Sequence, residues 1–313
     1  MGIKNKNLKI KVGKLELNSP IIMSSGTFGY GIELKNFINY KKIGAIITKT
    51  ITLYHWKGNP QPRIWETSYG VINSIGLQNP GVEQFIKEIL PIIKEIDTKI
   101  IISISGTNIK EILQLTEIIT KEKIDGIELN ISCPNFKKGK TVVSQDPIIT
   151  YKIVKEVKKI VGKIPLLVKL SPNVNDITEI ALSAEKGGAD ILSMINTVTA
   201  IGMDLQEKKI IEGGLSGPAI KPIGLRCVYK TYKKVSIPII GIGGITSGKD
   251  ALEYILAGAN AIGVGSGIFS NPLLVDEIYM FLEDYIKKNN LKSIKDIVGL
   301  MNEKTKEKNR TRE

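Results

Sequence analysis

Apolar residues along the chain gather into short runs of Ile, Val and Leu, each followed by a corner rich in Gly, Asn or Ser and then by a stretch with its charges on one helical face. Eight runs read as strands: Ile21 to Ser25, Ala45 to Thr50, Ile100 to Ser105, Gly126 to Ser132, Leu166 to Ser171, Ile191 to Asn196, Ile239 to Gly243 and Ala261 to Gly265. Most are nearly continuous rather than alternating, as expected of parallel strands covered on both faces. The helical period covers Ile109 to Glu122, Pro147 to Val161, Asp176 to Lys186, Lys221 to Lys234, Gly248 to Ala257 and Pro272 to Lys288. Eight strand–helix units in 313 residues are the arithmetic of an α/β fold of the (β/α)8 TIM barrel type. Ahead of them, Leu8, Ile10 and Val12 alternate up to Gly13, then Leu15 and Leu17, which predicts an N-terminal β-hairpin over Leu8 to Asn18. Two connections, Ile51 to Gly81 and Val198 to Gly217, are too long for turns. Both follow a strand's C-terminal end, where barrel enzymes build lids and pockets. No linker divides the chain, so the expectation is one domain over 1–313, with the barrel at about 19–290 and a charged extension at 291–313.

Composition narrows the chemistry. The chain is 42% hydrophobic and 24% charged, enough apolar residues for a full core. Its two cysteines, Cys133 and Cys227, make no disulfide framework, and its single histidine, His55, excludes mechanisms that need two imidazoles. No metal site is expected. The net charge of +13 invites a nucleic-acid reading, but the lysines are scattered over helices and arginine is scarce, so a solvated surface is the better account. No run of 18 apolar residues and no signal-peptide core is present, and a cytoplasmic enzyme without membrane or nucleic-acid partner is expected.

In a barrel, chemistry comes from the C-terminal ends of the strands. Here they carry Ser24, Ser25 and Gly26; Thr48, Lys49 and Thr50; Ser103 and Ser105; Asn130, Ser132 and Cys133; Lys169 and Ser171; Asn196 and Thr197. No pair of carboxylates converges. The last two strands end in Gly241-Ile242-Gly243-Gly244 and Gly263-Val264-Gly265-Ser266, the place where barrels cradle phosphate with backbone N–H groups and a helix N-terminus. Lys49 and Lys169 lie in apolar strands among amides and hydroxyls, with no acid beside them, which suits an electron-rich ligand such as a reduced flavin. Cys133 stands before Pro134 at the mouth, where lysine charge would favour its thiolate as base or nucleophile. Asn73, Asn130, Asn135 and Asn196 offer donors and acceptors for a planar ring. Cys227 reads as core and His55 as an exposed loop or subunit contact.

Longer segments carry a resemblance. Ser24-Ser25-Gly26, Gly58-Asn59-Pro60 with Pro62-Arg63, Asn73 to Gly81, Asn130 to Asn135, Val168 to Asn173, Ile195-Asn196-Thr197, Gly213 to Ala219 and Ile242 to Ile245 together resemble class 1 dihydroorotate dehydrogenases, in the same order and over about residues 8 to 290. Leu215 to Pro222 resembles the NAD-linked, two-component type. The resemblance implies an FMN-bearing barrel that oxidises dihydroorotate to orotate in pyrimidine biosynthesis. It implies Cys133 as the general base, and Lys49, Asn73, Ser74, Ile75, Gly76, Leu77, Asn130, Asn196 and Thr197 around the substrate. Ser25, Lys49, Thr50, Ser103, Asn130, Lys169, Ile195, Gly217, Gly243, Gly244, Gly265 and Ser266 are implied for FMN. Ser103 stands where the family usually has Asn, and its shorter hydroxyl is expected to reach the flavin only through water. The same type implies a partner subunit with FAD and a 2Fe-2S cluster that passes electrons to NAD, around a homodimer core of a heterotetramer; two cysteines cannot hold such a cluster. Two alternatives are a flavin-dependent tRNA dihydrouridine synthase and a non-catalytic flavin- or phosphate-binding barrel.

Overall fold

Hydrogen-bonded in parallel, the eight apolar runs close on themselves. A computed structural model describes residues 8–35, 37–132 and 145–302, with the backbone alone at 137–138 and 141–142. The barrel strands are β1 (Ile21–Met23), β2 (Ala45–Ile47), β3 (Lys99–Ile104), β4 (Gly126–Asn130), β5 (Leu166–Leu170), β6 (Ile191–Met194), β7 (Ile239–Ile242) and β8 (Ala261–Val264). They follow one another around the ring in chain order, and β8 returns to β1 with Gly263 opposite Ile22. Every residue of β1, β2 and β4 to β8 is buried, which explains the unbroken apolar runs. Most strands stop one to three residues before the expected ends. The polar residues there leave the ladder and turn into the mouth.

Helices cover the outside where the period places them. Pro147–Val161 and Gly248–Ala257 match the expected bounds, and Asp176 caps Ile177–Gly187 by accepting from Thr178 N–H. The first unit departs from the scheme: between β1 and β2 the described residues form only a 3-10 turn, Tyr40–Lys42. After β2, the segments Val82–Gln84, Phe85–Ile89 and Leu90–Ile93 make one continuous helical stretch with a π-type middle.

The expected hairpin forms, Ile10–Val12 against Leu15–Leu17, and buries Leu8, Ile10, Val12, Leu15 and Leu17. Gly13 closes it at φ +58, and a side chain there would press on Ile191, so the hairpin sits under the N-terminal end of β6. At the opposite end the two long insertions join. Ile64–Thr67, Gly70–Asn73, Lys209–Ser216 and Val198–Asp204 pair as one antiparallel sheet, with Asn73 opposite Gly214. At the C-terminus Ile294 and Ile297 are buried and Gly299 N–H bonds Ile255 O at 3.0 Å; residues 303–313 lie outside the described residues.

Candidate active site

Leaving the ladder, the polar strand ends meet one another. Ser25 Oγ lies 3.1 Å from Thr50 Oγ1, and Thr50 Oγ1 lies 2.9 Å from Ser103 Oγ. Asn130 Nδ2 donates to Thr50 Oγ1 at 3.2 Å, and its Oδ1 accepts from Ser132 Oγ at 2.6 Å. Ser132 Oγ in turn accepts from Asn196 Nδ2 at 2.6 Å, and Asn196 Oδ1 accepts from Thr197 N–H at 2.8 Å. One hydrogen-bonded chain therefore crosses the mouth from β1 to β6. The two amides in it are oriented by opposite contacts: each donates through Nδ2 to a hydroxyl and accepts at Oδ1.

The insertion sheet is docked onto this chain. Asn73 Nδ2 donates to Gly214 O at 3.1 Å, and a side chain at Gly214 would collide with the Thr197 hydroxyl. Glycine at 214 is thus what lets Asn73 and Thr197 approach from opposite sides. The loop from Ser74 to Gly81 is pinned from within the first insertion. Asn59 Nδ2 donates to Ser74 O and Oγ at 2.9 Å, Arg63 donates to Gln78 Oε1 at 2.6 Å, and Asn79 binds Thr52, Leu77 O and Gly81 N–H.

Beyond β7 and β8 the chain makes a cradle. Gly243 and Gly244 have φ of +127 and +66, and a Cβ on Gly244 would lie 2.7 Å from Gly217 O and 2.8 Å from Lys221 N, so the second insertion ends directly on this turn. The buried Tyr254 hydroxyl donates to Gly243 O at 2.7 Å, and burial pushes its ionisation far above the ordinary range. Asp250 accepts from Thr246 N–H and Oγ1 at 3.0 Å and pairs with Lys221, anchoring the first turn of Gly248–Ala257. At Gly265 an added Cβ would meet nothing within 4 Å. That open space beside two glycine turns and a helix N-terminus is a fitting place for a phosphate.

Two lysines face this mouth. Lys169 is 5% exposed, and burial pulls its pKa down against the opposing charge of Glu128. Lys49 is half-buried; burial and then the charge of Arg63 lower its pKa, while Glu33 raises it. Lys49 also lines a cavity of about 350 Å³ with Tyr30, His55, Gln78, Asn79, Pro80 and Gln84. Ser24 Oγ and Ser193 Oγ are buried without a hydrogen-bond partner. Orphaned hydroxyls and a buried ammonium are polar groups that the protein alone leaves unsatisfied, as a site built around a polar, electron-rich ring would. Among the described residues no cluster of His, Cys, Asp or Glu suits a metal ion, and no helix is long and apolar enough to cross a membrane.

Comparison with known proteins decides the family. The family model described as "Dihydroorotate dehydrogenase" matches residues 7–286. Similar proteins include the "Dihydroorotate dehydrogenase B (NAD(+)), catalytic subunit" of Caldicellulosiruptor bescii, 50% identical over 300 residues, covering 95% of this chain and 99% of the relative. The protein of the same description from Caldicellulosiruptor saccharolyticus is 48% identical with the same coverage, and that of Lachnoclostridium phytofermentans is 44% identical over 94% of this chain and 99% of its own length. The chain belongs to the dihydroorotate dehydrogenase family. The tRNA dihydrouridine synthase alternative is not favoured by these matches.

For a dihydroorotate dehydrogenase, the geometry joins most of the residues singled out in the sequence. Ser25, Thr50, Ser103, Asn130, Asn196 and Thr197 lie on the mouth chain, with Asn73 one step away through Gly214. Ile195 N–H bonds Ile242 O at 2.9 Å, and its side chain borders Gly243. Gly217, Gly243, Gly244, Gly265 and Ser266 surround the cradle. Ile75, Gly76 and Leu77 are tied to the insertion, not to the mouth chain, and Cys133 and Asn135 lie outside the described residues. Cys227 is buried in Lys221–Tyr232, and His55 is exposed.

One expectation needs correction. The lysines are not free of acids, since Glu128 acts on Lys169 and Glu33 on Lys49. Glu128 lies in the middle of β4, fully buried, where the sequence shows only a lone polar break in an apolar run. The Ser103 hydroxyl donates to Glu128 Oε1 at 3.2 Å and contacts Thr50. Asn59, Arg63, Asn79 and Asn173 act as anchors that the sequence pattern does not single out; Asn173 Nδ2 holds Thr197 O at 3.0 Å, and its one sequence signal is its place two residues after Ser171.

Proposed function

We propose that this chain binds FMN and oxidises dihydroorotate to orotate in pyrimidine biosynthesis, delivering the electrons to a separate subunit that carries FAD and a 2Fe-2S cluster and reduces NAD. The observation that carries the reading is the hydrogen-bonded chain across the mouth, together with the glycine turns after β7 and β8 and the buried Lys169. A dihydroorotate dehydrogenase needs those three features together: a cradle for phosphate, a cation near a ring that becomes electron-rich, and amides for a substrate with amide and carboxylate groups.

FMN, when bound, supplies the hydride acceptor. The protein's residues supply the rest. Gly217, Gly243, Gly244, Gly265 and Ser266 hold the phosphate through backbone N–H groups, while Ser25, Thr50, Ser103, Asn130 and Ile195 border the ring. Lys169 offers positive charge where negative charge develops, an interaction strengthened by its dry surroundings. Lys49, Asn73, Asn130, Asn196 and Thr197 orient the substrate, with Ser74 to Leu77 beside them. Cys133, one residue beyond Ser132 of the mouth chain, takes a proton from the substrate ring as its thiolate; a hydride leaves the adjacent carbon, and the C–C bond becomes double.

Anaerobic titration of the FMN-loaded protein with dihydroorotate tests this. Bleaching of the flavin is expected, and Cys133→Ala should retain FMN while slowing the bleaching by about 10²-fold or more, the usual worth of a positioned base. A Cys133→Ala protein that bleaches at the original rate would overturn the assignment of the base, and a wild-type protein that takes up no FMN would overturn the reading as a whole. Full-rate NAD reduction by the isolated chain would remove the need for a partner.

A further inference from the structure

We propose that Glu128 is the counter-charge that keeps Lys169 an ammonium inside the barrel, a positioning residue acting through that lysine; the inference rests on the FMN reading above. Glu128 has no exposed surface and stands on β4 opposite Ser103 of β3 and Leu167 of β5. Lys169 follows Leu167 by two residues and pairs with Asn130, which follows Glu128 by two, so the acid and the lysine share the inward face of adjacent strands.

The carboxylate is only half satisfied. Oε1 accepts from Ser103 Oγ at 3.2 Å, and Oε2 is buried with no hydrogen-bond partner. A buried carboxylate oxygen without a donor is costly unless a positive charge faces it. Lys169 is that charge: Glu128 is the one charged group among the described residues that raises its pKa, against the larger downward effect of burial. The two form no ion pair within 4.0 Å, so the acid acts on the lysine through the low-dielectric interior. The other neighbours of Lys169 in the ladder, Ser193 on β6 and Asn130 on β4, do not titrate. A lysine that lost its proton would offer no charge to an electron-rich ring, which is why the buried acid matters to function.

Ser103 now has a role. It is the donor that holds the acid and passes the contact on through Thr50 to Ser25 at the mouth.

The test is the midpoint potential of bound FMN measured from pH 6 to pH 10 in the wild type, Glu128→Gln, Glu128→Asp and the double variant Glu128→Gln/Lys169→Gln. In Glu128→Gln, the pH at which Lys169 loses its proton should move down, seen as a break in the potential at lower pH than in the wild type and a more negative potential above it. Glu128→Asp should restore the wild-type profile, and the break displaced in Glu128→Gln should be gone from the double variant. A Glu128→Gln profile that superimposes on the wild type, or a displaced break that persists unchanged in the double variant, overturns the inference. Should Glu128→Gln fail to fold, Glu128→Leu, which removes the charge and leaves no buried polar atom unpaired, is read by the same displacement of the break, and its absence overturns the inference equally. A wild-type chain that binds no FMN fails at the earlier reading; one that binds FMN and bleaches with dihydroorotate leaves only the role of Glu128 at stake.

Discussion

Two glycines of the cradle differ in what a methyl group would meet, and that difference separates a folding role from a binding role. At Gly265 the backbone lies outside the left-handed region and an added Cβ finds nothing within 4 Å. Gly265→Ala should therefore leave the apoprotein as stable as the wild type, or more stable by about 0.4–1 kcal/mol through the reduced freedom of the unfolded chain. The methyl nevertheless occupies the space assigned to phosphate. Displacing one charge-assisted backbone hydrogen bond costs about 1.5–3 kcal/mol, or roughly 10- to 100-fold in FMN affinity. At Gly244, by contrast, φ is +66 and the Cβ would press on Gly217 O and Lys221 N, backbone atoms that cannot swing aside. Left-handed strain of about 1–2 kcal/mol and overpacking of about 1–3 kcal/mol should lower the apoprotein's Tm by several degrees, at about 2 °C per kcal/mol for a chain of this length. Thermal denaturation of both apoproteins and fluorescence titration with FMN measure the two quantities. If Gly265→Ala binds FMN like the wild type, or loses apoprotein stability as Gly244→Ala does, the cradle is misplaced.

Tyr254→Phe deletes the hydroxyl that donates to Gly243 O and should cost about 1 kcal/mol of stability, with a weaker hold on FMN because the turn is released; equal FMN affinity in the variant would show that the hydroxyl only stabilises the fold. At the opposite end of the barrel, burial pushes the Asp190 carboxyl up, but the Lys158 ammonium, Leu166 N–H and Lys14 together bring it below its ordinary value of 3.8. A carboxylate depressed in the folded state stabilises the protein above the unfolded pKa, and that contribution is lost as pH falls through the folded value. Asp190→Asn should therefore destabilise the protein at pH 7 by about 1–3 kcal/mol and flatten its acid denaturation curve below pH 4; denaturant melts at pH 7 and pH 3 that shift equally would refute this.

The parts of this molecule legible in the sequence are those set by local rules. Continuous Ile and Val runs fix buried parallel strands, and a Ser, Thr, Asn or Lys at the end of such a run has nowhere to go but the mouth. Ser25, Thr50, Ser103, Asn130 and Asn196 are therefore legible as mouth residues from the sequence. What the sequence did not disclose depends on partners far apart along the chain. The insertion sheet needs Asn73 to meet Gly214, 141 residues on, and neither insertion forms the sheet alone. Val198–Asp204 reads only as part of a long connection, because Ile201 and Met203, which would mark a buried face, are exposed in the strand that forms. Glu128 shows the same limit at shorter range. Within Gly126–Asn130 it reads as an interruption, and it acquires meaning only when Ser103 and Lys169 arrive from the strands on either side. The ends of the strands can be read one at a time, whereas the charge balance beneath them is a property of three adjacent strands, visible only once the barrel has closed.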